Sequence, residues 1–113
     1  MARQFKVQAF RQDATRPAGP VFDRALLAHH TMDDLALADE IMKLFLAQLT
    51  QLETADWPSL DLTFQMHTLQ GAAAAVGAIQ LQHLAEGWRD WGIQLEGEVL
   101  AAIMAFRKAA QGL

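Results

Sequence analysis

Four histidines, His29, His30, His67 and His83, are the side chains of this chain best suited to chemistry near neutral pH. An imidazole can ligate a metal, carry a proton or attack an electrophile. The competing nucleophiles are few. With no cysteine, thiolate zinc sites, disulfides and thiol chemistry are excluded. Ser59 is the sole serine, so no Ser/His/Asp grouping can be argued. No Gly-rich nucleotide loop is present, and no carboxylate pair suggests acid/base work. Adjacent His29 and His30 point in different directions on a helix, which fits a helix end better than a metal site. His83 and Glu86 share a helix face, but a di-metal bundle needs the Glu-x-x-His pattern twice, so they read as a surface pair. No metal site is expected, and His67 remains.

The company of His67 is unusual. At about 100° per residue, Leu62, Met66, Leu69, Ala73 and Val76 form an apolar stripe on one side of a helix. His67 lies opposite, with Leu60, Thr63, Phe64, Gln70, Gly71, Ala74 and Ala78 within about 60° of it. Gly71, one turn on, costs about 1 kcal/mol of helix propensity relative to Ala. Its use here is to remove a Cβ and leave room for a bulky group on the imidazole, and Ala74 continues the cleared lane. Periodicity alone favours a plain surface histidine and a glycine serving close helix packing.

The elements that must position these residues follow from composition. Ala and Leu supply 37 of the 113 residues against 8 for Val and Ile, which favours helix over strand. The length suits one compact domain with a single core. No apolar run nears the roughly 18 residues a membrane span needs. Residues 1–20 carry a balance of +3 and end in Pro17-Ala18-Gly19-Pro20, so they read as a flexible basic leader and not a secretory signal. Residues 21–113 carry −7, which argues against a nucleic-acid backbone as the main partner. Five helices are expected in this domain. A short one spans about Asp23 to His29, and Thr31 with Asp34 looks like a capping-box variant opening a helix to about Thr54. Asp56-Trp57-Pro58 opens the helix that carries His67, which ends at Gly77. The next helix carries Leu81, Leu84, Trp88, Trp91 and Leu95, and Gly97 separates it from the last, Val99 to about Ala110. Met42, Met66 and Met104 read as core filler, and Trp88 and Trp91 as core or core edge. Short connections imply antiparallel neighbours. The expected architecture is all-α: an up-and-down antiparallel four-helix bundle with a short extra N-terminal helix.

The stretch Met66-His67-Thr68-Leu69-Gln70-Gly71, followed by Ala72 to Ala75 and Val76-Gly77-Ala78, resembles the histidine phosphotransfer (HPt) domain of bacterial two-component phosphorelays. That family carries His-x-Leu-Lys-Gly, about five small or apolar residues, then Gly-Ala and a Leu three residues on. The matching residues are His67, Leu69, Gly71, Val76, Gly77, Ala78 and Leu81. Leu44-Phe45-Leu46 and Asp56 fall where the family has a phenylalanine pattern and a helix cap. The resemblance covers about residues 21–113. One departure stands out: Gln70 occupies the position where the family usually has Lys, so it can donate a neutral hydrogen bond but brings no charge.

The resemblance implies a phosphorelay intermediate. His67 would accept a phosphoryl group from an aspartate on a response-regulator receiver domain and pass it to another receiver; a hybrid histidine kinase is a further expected partner. Gln70, Gly71 and Ala74 would border the phosphoryl site. No cofactor is expected on this chain, with Mg²⁺ held by the partner receiver, and no autonomous kinase activity is expected. Receiver docking would use Leu60, Thr63 and Phe64 on the His67 face, extended by Leu37 and Leu44 of the preceding helix. The same leucines could instead pack against the first helix or the leader. The His67 face is expected to be nearly uncharged, and the protein to be a cytoplasmic monomer that binds neither nucleic acid nor membrane. Two other readings stand beside this one. Gln70 fits a degenerate, non-transferring module that binds and regulates a receiver or kinase, and Leu60 with Phe64 fits a bundle that self-associates.

Overall fold

In the computed structural model the described residues are 20–57 and 62–111, and they are all-helical, with no strand among them. The basic leader expected over residues 1–20, all but Pro20, and the docking candidate Leu60 lie outside them. Five helices follow one another: α1 (Arg24–His30), α2 (Leu35–Glu53), α3 (Thr63–Val76), α4 (Ile79–Trp91) and, after a 3-10 turn at Gly92–Leu95, α5 (Glu96–Ala110). None is long and apolar enough to cross a membrane.

Every helix contributes to one core. α3 packs most extensively against α4 and also contacts α1 and α2; α5 packs on α4 and α2. The stripe Leu62, Met66, Leu69, Ala73 and Val76 is buried as expected. It meets Phe45, Leu49 and Leu52 of α2, Leu81, Leu84 and Trp88 of α4, and Val99, Ile103 and Phe106 of α5. Phe106 sits edge-on to both Phe22 and Phe45, with ring centroids 5.2 Å apart in each case. Trp57 stacks edge-on against Trp88 at 5.6 Å and donates its indole N–H to the Leu52 carbonyl at 2.8 Å, so a large buried ring keeps its one donor satisfied.

Several boundaries differ from the sequence reading, each for a physical reason. Asp34, not Thr31, caps α2: its carboxylate accepts from the Leu37 N–H at 3.1 Å. Thr31 is buried at the end of α1, where its hydroxyl donates back to the Leu27 carbonyl at 2.9 Å. Between them Met32 and Asp33 take positive φ, which turns the chain within three residues. The His67 helix begins at Thr63, with Leu62 as N-cap and no side-chain cap, and not at the Asp56-Trp57-Pro58 signal. The break before the last helix falls at Gly92, whose φ is 58°, whereas Gly97 lies within α5. Met104 is 69% exposed and is not core filler, because Val99, Ala102, Ile103 and Phe106 occupy the inward face of α5.

The turn after α3 is the most constrained point. Gly77 has φ 85°, and a Cβ there would run into the Asp23 carbonyl. The Asp23 N–H donates to the Gly77 carbonyl at 2.8 Å, while the Asp23 carboxylate caps α1 through the Leu26 N–H. His30 Nδ1 donates to the Ala75 carbonyl at 2.9 Å; a carbonyl can only accept, so that nitrogen carries the proton. Entry to α1 and exit from α3 are thereby fastened together.

Candidate functional site

His67 lies on the exposed crest of α3, opposite the core stripe. Gly71 is exposed beside it, and a Cβ built there meets nothing within 4 Å. Close helix packing therefore does not explain this glycine. Ala74, one turn beyond Gln70, is half-buried.

The crest separates two depressions, and helical geometry accounts for which residues line each. With His67 as reference, Phe64 and Thr68 lie about 60° and 100° to one side, and Thr63, Gln70 and Met66 about 40°, 60° and 100° to the other. On the first side, Leu62, Phe64, Gln65 and Thr68 border a groove of about 500 Å³ against Gln48, Gln51 and Leu52 of α2. Phe64 is 76% exposed at its edge. Leu44 is 72% exposed and one turn before Gln48 on α2, so it extends this lining along the helix. Leu37 is only 38% exposed and lies roughly 10 Å further along the same helix by its rise. The structure thus gathers Thr63, Phe64, Gln70, Gly71 and Ala74 around His67, with Leu44 beside the groove and Leu37 at a distance.

On the second side, Thr63, Met66, His67 and Gln70 face Ala85, Glu86, Trp88, Arg89 and Asp90 of α4 across a cleft of about 630 Å³ that Gly92 also lines. This corrects the expectation of a nearly uncharged face. α3 itself carries no charged residue, but α4 brings two carboxylates and a guanidinium to the histidine. The Gln70 amide reaches the Glu86 carboxylate at 3.5 Å, and Gln82 donates to the same oxygen at 3.4 Å. Both lie at the long limit of a hydrogen bond. Reading α3 alone could not reveal these groups, because α4 reaches the site only by folding back at Gly77. The signal was present in the spacing of Ala85, Glu86, Trp88 and Arg89, which place one face of α4 toward α3.

The remaining histidines are accounted for elsewhere. His30 is held at the end of α3, and its ring centroid is 5.9 Å from that of His29. His83 is half-buried on α4, and Glu86 takes its described hydrogen bonds from the two glutamines. Among the described residues, no group of three or more His, Asp or Glu side chains is placed to hold a metal ion. What the crest offers chemically is an accessible imidazole with cleared space beside it, an aromatic anchor on one flank and mixed charge on the other.

Comparison of the chain with protein-family models, with curated proteins and with solved structures finds no match.

Proposed function

We propose that this chain is a histidine phosphotransfer domain, with His67 as the phosphoacceptor, on an up-and-down antiparallel four-helix bundle in the cytoplasm. The observation that carries the reading is Gly71. It is exposed in mid-helix, costs about 1 kcal/mol relative to Ala and spares no clash among the described residues. Its missing Cβ serves something that arrives from outside, one turn from an accessible imidazole.

The chemistry asks little of this chain beyond position. A neutral ring nitrogen of His67 attacks the phosphorus of an aspartyl phosphate on a receiver; the P–N bond forms as the acyl P–O bond breaks, and the aspartate leaves as a carboxylate. A second receiver's aspartate reverses the step. The receiver contributes Mg²⁺, and this chain contributes the nucleophile, the cleared lane and the docking face around Thr63, Phe64 and Leu44. A non-transferring module that only binds a receiver is the second reading, favoured by Gln70, whose amide turns to Glu86 and brings no charge.

Incubation with an acetyl-phosphate-charged receiver and Mg²⁺ separates the two. Wild type is expected to take up acid-labile, base-stable phosphate, and His67→Gln to take up none. Binding of the receiver without label on wild type would establish the second reading, and equal label on His67→Gln would remove His67 from the chemistry.

A further inference from the structure

We infer that Arg89 supplies the positive charge for a phosphoryl group on His67, a role for which α3 itself has no residue. The inference rests on the phosphotransfer reading and adds a phosphoryl-contacting residue to it. Transferring a phosphoryl group to an imidazole places close to two negative charges on the α3 crest. Nothing on α3 can offset them, since Thr63–Val76 contains no Lys or Arg and Gln70 is neutral. The cleft worsens the balance by presenting the carboxylates of Glu86 and Asp90. A cation supplied by this chain would have to come from another helix.

The described residues hold five bases, and four are placed or engaged away from the site. Arg24 donates to the Ala109 carbonyl at 3.0 Å, Lys43 pairs with Asp39 at 3.0 Å, and Arg107 pairs with Glu53 at 2.6 Å. Lys108 lies in the last turn of α5. Arg89 is the one base that lines the His67 cleft. It is exposed and forms no ion pair with another described residue. One oxygen of the Glu86 carboxylate receives the Gln70 and Gln82 amides at 3.5 and 3.4 Å. Its planar fork can pair two phosphoryl oxygens at once, which a point charge cannot. On this account Gln70 is tolerated because its amide holds Glu86 while the cation comes from the neighbouring helix.

The test compares wild type, Arg89→Gln, Arg89→Lys and the double variant Arg89→Gln with Gln70→Lys. Each is phosphorylated by a charged receiver and, separately, by phosphoramidate, a small donor that needs no docking surface. Arg89→Gln is expected to slow labelling by both donors about tenfold or more, the scale of a charge-assisted hydrogen bond. Arg89→Lys should retain an intermediate rate, and Gln70→Lys should restore much of the loss by placing a cation on α3. Unchanged rates in Arg89→Gln with both donors would overturn the inference while leaving phosphotransfer intact. So would slowing with the receiver alone, which would assign Arg89 to docking. Wild type unlabelled by either donor would overturn the phosphotransfer reading, and this inference with it.

Discussion

The middle of α3 and the turn at its C-terminal end each hold a glycine, and the two sit in opposite surroundings. In the exposed His67–Gly71 stretch at mid-helix, a Cβ on the glycine would meet open space, so nothing among the described residues requires its absence. At the buried Val76–Ala78 end, Gly77 takes a left-handed φ, and a side chain would collide with the backbone of Asp23. One glycine leaves the structure indifferent and the other is required by it. A short motif can thus contain an architectural half and, on the proposed reading, a chemical half, and contacts are what tell them apart.

The largest expected effect breaks the architectural half. Gly77→Ala would force a Cβ into the Asp23 carbonyl at a positive φ, and should destabilise the fold by about 3 kcal/mol or more in denaturant unfolding. A loss below about 1 kcal/mol would mean that the turn relaxes and is not the clamp described here. Next comes the docking flank. Phe64→Ala should weaken receiver binding about tenfold, as truncating an interface anchor does, while leaving unfolding unchanged because the ring is exposed. Unchanged affinity would place the receiver elsewhere.

The smallest effect is the most discriminating. Gly71→Ala should stabilise the protein by about 0.5–1 kcal/mol and yet slow phosphoryl uptake, since the helix gains where the incoming group loses room. Opposite signs in the two measurements would separate chemistry from architecture. Equal transfer rates would return Gly71 to an ordinary surface position.

Much of this division was legible in the sequence. The core stripe on α3 follows from 3.6-residue spacing, and every member of it is buried. The outward placement of His67 follows from the same spacing, as does the turn at Gly77. What failed were competitions between equivalent local signals. Thr31 and Asp34 are both good caps, and the choice fell to Asp34 because the Thr31 hydroxyl is consumed by Leu27. Gly92 and Gly97 are both potential helix breakers, but Gly97 stays within α5 and only Gly92 takes a positive φ. The charged flank was hidden for a different reason. Glu86, Arg89 and Asp90 reach His67 only through the packing of α3 against α4, and the periodicity of one helix carries no information about its neighbour. A face that reads as neutral along α3 is therefore bordered by three charges in three dimensions.

The central claim is that the phosphorus ends on the ring nitrogen of His67. The most direct measurement is phosphorus–nitrogen NMR on ¹⁵N-histidine-labelled protein after exposure to a charged receiver. The account predicts a phosphorus signal coupled to a single imidazole, absent from His67→Gln and lost again when a second, uncharged receiver is added. A coupling that survives in His67→Gln, or a receiver that keeps all of its phosphate in the presence of wild type, would contradict it.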